Sequence, residues 1–184
     1  MIRCPDNGEI CILAGGLSAR MGRDKGRLRL RGKSLMQHVR GAARQAPWPL
    51  RVIRHDIVPR CGPLGGVYTA LKTSRFEAVL FLACDMPFIT GELIGRFLQL
   101  KGPAFMQGAG GAGFPFLLPR NVLSVVEEQL AARRYSLQSL AERCGARKVQ
   151  PTDLGHELFN VNTPQDWKLA REIQSKPCHS AQKR

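Results

Sequence analysis

The sequence predicts a single three-layer α/β/α domain built around a mainly parallel β-sheet. Three observations carry that expectation. Short apolar runs alternate with amphipathic segments along the chain, and parallel strands need such helical crossovers between them. The run Ala78-Val79-Leu80-Phe81-Leu82-Ala83 is apolar on both faces, as a strand covered by helices on both sides must be. Finally, 184 residues with 43% hydrophobic and 23% charged side chains suit one domain with a sizeable core, which excludes a disulfide-stapled mini-protein, a coiled coil and a disordered chain.

The elements follow in order. Glu9 to Leu13 is a first strand that runs into the flexible turn Ala14-Gly15-Gly16. Ser34 and Gln37 have the spacing of a capping box, which starts a helix reaching about Gln45 before Pro47 stops it. Leu50 to Arg54, with β-branched Val52 and Ile53, is a second strand. Gly62-Pro63-Leu64-Gly65-Gly66 is a turn into a helix from Val67 to Thr73, and Ala78 to Ala83 is the central strand. Thr90 to Leu100 carries Leu93, Ile94, Phe97 and Leu98 at helical spacing. Ala104 to Gln107 and Phe114 to Leu118 are weaker strands around the glycine-rich Gly108 to Gly113, which reads as a surface loop. Helices at Asn121 to Ala132 and Ser136 to Glu142 precede strands at Ala146 to Gln150 and Leu158 to Val161. Thr163-Pro164-Gln165-Asp166 then supplies an N-cap, a first-turn proline and a first-turn acid for a last helix to about Ile173. The domain is expected to cover residues 1–174, with residues 175–184 a disordered basic tail.

Lys and Arg number 28 against 14 Asp and Glu, a net charge of +14. Twelve of the basic residues fall between Arg20 and Arg60, opposed there only by Asp24 and Asp56. Such a field draws polyanions. Aromatics are few, at 7%, and dispersed, so the stacking platforms of a nucleic-acid module are missing and a small phosphorylated ligand is favoured. No apolar run approaches the roughly 20 residues that cross a bilayer, and Met1 to Ile10 lacks the apolar stretch of a signal peptide. The expectation is a cytoplasmic protein with no membrane partner. Six cysteines without a Cys-x-x-Cys pair read as reduced thiols, and the four histidines show no zinc-ligand spacing.

In open α/β sheets, ligands bind beyond the carboxyl ends of the strands. Gly15 and Gly16 follow the first strand, Asp56 the second, Asp85 the central one and Asn162 the last. The loop from Leu13 to Lys25 joins paired glycines to Arg20 and Lys25. Glycines let backbone N–H groups approach phosphate oxygens, and the cations offset a triphosphate's charge. The loop matches neither G-x-x-x-x-G-K-[ST] nor G-x-G-x-x-G. Asp85, directly after a six-residue apolar strand, is the strongest single candidate, and a carboxylate facing phosphates suits Mg²⁺. Its bland reading is a turn acid ahead of Pro87. Asp56 has Arg54 and Arg60 as alternative partners, and Asn162 either contacts ligand or shapes the turn before Thr163. Neither Ser18 nor Cys84 has an identifiable base, so no covalent intermediate is expected.

Leu13-Ala14-Gly15-Gly16-x-Ser18-x-Arg20-Met21-Gly22-x-Asp24-Lys25 resembles the signature loop of the molybdenum cofactor guanylyltransferases and their nucleotidyltransferase relatives. Gly62-Pro63-Leu64-Gly65-Gly66, Cys84-Asp85-Met86-Pro87-Phe88 and Asn160-Val161-Asn162-Thr163-Pro164-x-Asp166 resemble that family's later motifs in the same order, so the likeness runs from about Ile10 to Trp167. It implies a Rossmann-like enzyme that moves GMP from GTP to the terminal phosphate of molybdopterin, releases pyrophosphate and uses Mg²⁺. By the same resemblance, Leu13, Ala14, Gly15, Gly16, Lys25 and Asp56 contact GTP, Arg20 lies close to its phosphates, and Asp85 binds both nucleotide and Mg²⁺. Arg20, Lys25 and Asp85 would then be the catalytic set, and molybdenum-cofactor-handling proteins would be transient partners. Phe114-Pro115-Phe116 and the helix after Asn121 fall where the family places its pterin-binding half. Cytidylyl-transferring relatives tend to carry Asp-x-Asp-Thr-Pro where this chain has Asn160-Val161-Asn162-Thr163-Pro164, which tilts the choice to guanylyl transfer. One departure stands out. Relatives usually have a further strand before the Gly-Pro-Leu motif, with an asparagine that approaches guanine, whereas Trp48 to Asp56 offers a single strand. The alternatives are therefore a nucleotidyltransferase using CTP or a sugar phosphate, or a catalytically weak GTP-binding homologue.

Overall fold

The computed structural model describes residues 7–14, 28–151 and 155–175. β1 (Gly8–Leu13) is followed, beyond the undescribed residues 15–27, by a small hairpin of β2 (Arg29–Leu30) and β3 (Lys33–Ser34) and by α1 (Leu35–Ala43). β4 (Leu50–Ile53), α2 (Pro63–Thr73), β5 (Ala78–Ala83) and α3 (Gly91–Leu98) come next. Then come β6 (Ala104–Gly108), β7 (Gly111–Pro119), a 3-10 turn at Arg120–Val122, α4 (Leu123–Ala131), α5 (Leu137–Arg143), β8 (Arg147–Val149) and α6 (Pro164–Ser175).

Six strands form one sheet in the order β4-β1-β5-β7-β6-β8. β7 pairs antiparallel with β5 and β6, and the other neighbours are parallel, so the sheet is mainly parallel as expected. Strand alternation sorts the side chains into two cores. Ile10, Ile12, Leu80 and Leu82 face α1 and α3, where Val39, Ile94 and Phe97 meet them. Cys11, Val79 and Phe81 point the other way, toward Leu64 and Val67 of α2, Val126 of α4 and Leu140 of α5. β5 is thus covered on both sides, which is why its sequence shows no polar alternation. On the second face, three paired phenylalanines cross the sheet. Phe116 stacks on Phe105 with ring centroids 4.6 Å apart and on Phe81 at 4.8 Å.

A charged pair holds the edge strand β4. Glu9 is only 4% exposed, and Arg51 across the β1–β4 ladder meets both its oxygens, with Nε at 3.0 Å and Nη2 at 2.5 Å. The same guanidinium donates to the Ala70 carbonyl at 2.9 Å and to Thr73 Oγ1 at 2.6 Å, both on α2. Its fork geometry satisfies the buried carboxylate, as a buried charge requires.

The helix ends follow local chemistry. Ser34 and Gln37 form the expected capping box, with Ser34 Oγ accepting from the Gln37 N–H and Gln37 Oε1 from the Ser34 N–H. Thr163 Oγ1 accepts from the Asp166 N–H while Asp166 Oδ2 accepts from the Thr163 N–H. α2 starts one turn earlier than Val67, because Pro63 sits in the first turn where its missing N–H costs nothing.

Two expectations need correction. Gly108 to Gly113 is a hairpin, not a loop: β6 and β7 pair up to Gly108↔Gly111, and α5 pins the tip because Gln138 Oε1 accepts from the Ala112 N–H at 2.6 Å. Leu158 to Val161 is not a strand: a turn over residues 155–158 runs into irregular backbone. The Phe159 N–H bonds back to the His156 carbonyl, and the apolar side chains enter the interior instead of alternating across a sheet. Cys11, Cys61, Cys84 and Cys144 carry reduced thiols, as expected. Among the described residues, no helix is long and apolar enough to cross a membrane. The expected tail from residue 176 onward lies outside the described residues.

Candidate active site

β4, β1 and β5 run parallel and end together, with Ile53, Leu13 and Ala83 in register. The Ala14 N–H bonds to the Ile53 carbonyl at 2.8 Å, and the Cys84 N–H bonds to the Leu13 carbonyl at 3.3 Å. Asp56, Ala14 and Asp85 therefore leave the sheet at one rim, three, one and two residues past the ends of adjacent strands. Asn162 follows no strand, contrary to expectation. It reaches the same place because the Val161 N–H donates to the Asp85 carbonyl at 2.9 Å. β6 is parallel to β5 through the intervening β7, so the β6–β7 tip at Ala109-Gly110 also points to this rim. Gly15, Gly16, Arg20 and Lys25 lie outside the described residues.

Asp56 is seated on the first turn of α2. A Cβ at Gly65 would lie 2.7 Å from the Val58 carbonyl oxygen and 2.9 Å from Asp56 Oδ2. A Cβ at Gly66 would lie 3.1 Å from Leu13 Cδ2. The two glycines let the Asp56 loop and the end of β1 close onto the helix, at the terminus whose free N–H groups favour negative charge. Thr69 straps the arrangement: its Oγ1 accepts from the Ile57 N–H at 2.9 Å and donates to the Gly65 carbonyl at 2.8 Å. Gly65 and Gly66 stand in a motif that sequence marks as a turn into a helix and as one of the family-like motifs, without showing what the glycines seat. Thr69 carries no sequence signal for its role, since an isolated threonine in a helix has many uses.

Loss of hydration raises the Asp56 carboxyl above its ordinary range, and the nearby His55 charge opposes the shift. The folded chain then holds that proton more readily than the unfolded chain, so this group's contribution to stability falls as pH rises through the carboxyl range. Asp56→Asn is expected to melt above the unsubstituted chain at pH 7 and level with it at about pH 3, where both states are protonated. Thermal melts at the two pH values check the sign.

On the Asp85 side, Thr90 caps α3 by accepting from the Leu93 N–H at 3.1 Å, and its hydroxyl donates to Glu157. Glu157 thus holds the segment before Asn162 against the loop that carries Asp85. Sequence reasoning missed this link, which joins residues 67 positions apart.

A mainly parallel α/β sheet that gathers two acids, an asparagine and a glycine-seated loop at the carboxyl ends of its strands has the build of a nucleotidyltransferase. The MobA-like NTP transferase domain matches residues 10–148. The chain belongs to that family. A molybdenum cofactor guanylyltransferase of Pseudomonas putida is 34% identical over 178 residues, which span 85% of this chain and 93% of that protein. One of Pseudomonas entomophila is 36% identical over 182 residues, 85% of this chain and 94% of that protein. The crystal structure of molybdopterin-guanine dinucleotide biosynthesis protein A from Archaeoglobus fulgidus superposes with a TM-score of 0.72 at 20% identity, covering 92% of this chain and all of that one. That last likeness speaks to the fold.

Proposed function

We propose that this enzyme transfers GMP from GTP to the terminal phosphate of molybdopterin, with release of pyrophosphate. The observation that carries the reading is the convergence of Asp85, Asn162, Asp56 and Ala14 on one rim, in a chain about one-third identical to molybdenum cofactor guanylyltransferases over most of its length. A phosphate oxygen of molybdopterin attacks the α-phosphorus of GTP, a new P–O bond forms, and the bond from the α-phosphorus to the bridging oxygen breaks, so the electron pair leaves with pyrophosphate. In this reading Leu13, Ala14, Gly15 and Gly16 present backbone to the nucleotide. Arg20 and Lys25 offset charge on the transferring and leaving phosphates. Asp56 contacts the nucleoside, and Asn162 contacts ligand beside Asp85.

The donor set suits magnesium. Asp85 offers a hard carboxylate oxygen, the donor type Mg²⁺ prefers, and Mg²⁺ is ordinarily held by one or two carboxylates together with substrate phosphates and its own waters. Asp85 would hold it, and Mg²⁺ bound there would withdraw charge from the phosphate oxygens.

A specific observation keeps a second reading alive. Among the described residues, β4 is the one strand between α1 and α2, where relatives usually have a further strand with an asparagine, so selection of guanine must come from elsewhere or be weak. Pyrophosphate release measured with ATP, GTP, CTP and UTP, with and without molybdopterin, separates the readings. The expected result is release with GTP that requires molybdopterin. Release with CTP instead overturns the base assignment, and GTP binding without release in any mixture points to the weak homologue.

A further inference from the structure

Two irregular segments meet beside the rim. One runs from Asp85 to Thr90, between β5 and α3, and the other is residues 155–162, ahead of α6. They lie antiparallel and join in order. The Val161 N–H donates to the Asp85 carbonyl at 2.9 Å, the Phe88 and Phe159 ring centroids are 6.2 Å apart, and the Thr90 hydroxyl donates to the Glu157 carboxylate. The two sides are not held alike. Met86 and Ile89 are buried in the core that α1 and α3 cover, and Thr90 Oγ1 caps α3 by accepting from the Leu93 N–H at 3.1 Å, so the Asp85 side is fixed to the body of the domain. Residues 155–162 belong to no helix or strand. At their far end, Asp166 Oδ2 accepts from the Asn162 and Thr163 N–H groups at 2.9 and 2.8 Å. The ring contact is non-directional, and the hydrogen bonds on either side of it set the register between the segments. The bond from Val161 is between backbone groups, whereas the bond at Thr90 depends on the side chain at position 157.

We propose that Glu157 is a positioning residue for Asn162: by accepting from Thr90 it holds residues 155–162 against the Asp85 loop and sets where Asn162 stands beside Asp85. This role rests on the nucleotide reading above, in which Asn162 contacts ligand. The Glu157 carboxylate is committed to the hydroxyl that caps α3, so its effect on a ligand travels along the segment to Asn162. Groups that orient a contact residue in this way are worth an appreciable part of the contact itself.

The test titrates the full chain with Mg²⁺-GTP. Glu157→Ala is expected to weaken binding by about 10-fold, and Glu157→Gln, whose amide oxygen still accepts from Thr90, to restore most of the affinity. Loss of the Asn162 contact should account for the whole effect. Asn162→Ala is therefore expected to bind more weakly than the unsubstituted chain, and adding Glu157→Ala to it should cost less than about 2-fold more. Unchanged affinity in Glu157→Ala or in Asn162→Ala overturns the proposal. So does a full further 10-fold loss when the two are combined, and so does a Glu157→Gln chain no better than Glu157→Ala, which would assign the effect to the charge and not to the bond. Where Glu157→Ala does not fold, Thr90→Val removes the donor and takes its place in the same cycle, with Thr90→Ser as the variant that keeps the hydroxyl. A native chain that binds no Mg²⁺-GTP would overturn the nucleotide reading itself, and its titration shows that before any variant is made.

Discussion

Asp85→Asn is expected to lower turnover by at least about 100-fold while the protein melts near its usual temperature. Asparagine keeps the size and hydrogen-bonding reach of the side chain, and the bond from Val161 uses the backbone carbonyl at this position, which the substitution does not touch. The negative charge is removed, and one carboxylate oxygen becomes an amide NH2. The loss should therefore fall on the step in which charge on the phosphates must be balanced, and GTP affinity measured without metal should change much less than affinity measured with Mg²⁺. Parallel titrations in the two conditions, together with pyrophosphate release, check this. Near-normal Mg²⁺-dependent transfer by the variant would remove Asp85 from the proposed mechanism.

The largest effect on stability is expected at Phe116. Its ring is fully buried between Phe105 and Phe81, two direct cross-strand partners. Alanine there would empty the middle of a three-ring stack on the face covered by α2, α4 and α5. A cost of about 3–5 kcal/mol follows for truncating a buried aromatic of this kind. Leucine should recover part of it by filling volume without the stacking geometry. Urea denaturation of the three chains checks the order. An alanine variant within about 1 kcal/mol of the unsubstituted chain would show that the stack collapses around the gap at little cost.

Much of the frame is readable without coordinates because local chemistry decides it. A six-residue apolar run with helices before and after it suits an inner strand, and β5 has neighbours on both sides. Ser34 with Gln37, and Thr163 with Asp166, satisfy orphan helix N–H groups within four residues, so their meaning is local as well. The hairpin at Gly108 to Gly113 is different. Glycine has no strand preference of its own, and what holds these residues extended is pairing with each other and a hydrogen bond from the Ala112 N–H to Gln138, far away in sequence. Leu158 to Val161 misleads for a related reason. A short apolar run says that side chains are buried, not whether the backbone lies in a sheet.

The candidate site divides along the same line. The positions of Asp56 and Asp85 follow from the strands before them. Their surroundings do not: the glycine seat under Asp56, the Thr69 strap and the Glu157 link each depend on a partner chosen by tertiary packing. A buried acid on a core strand, as at Glu9, equally requires knowing that Arg51 reaches it from the neighbouring strand.

The place of β1 in the sheet also bears on how the protein is made. β1 is an inner strand, flanked by β4 and by β5, and its second neighbour begins only at Ala78. At ordinary rates of synthesis that delay is on the order of several seconds. Throughout it, Ile10, Cys11 and Ile12 wait with at least one flank open, so this strand has much to gain from a chaperone's shelter.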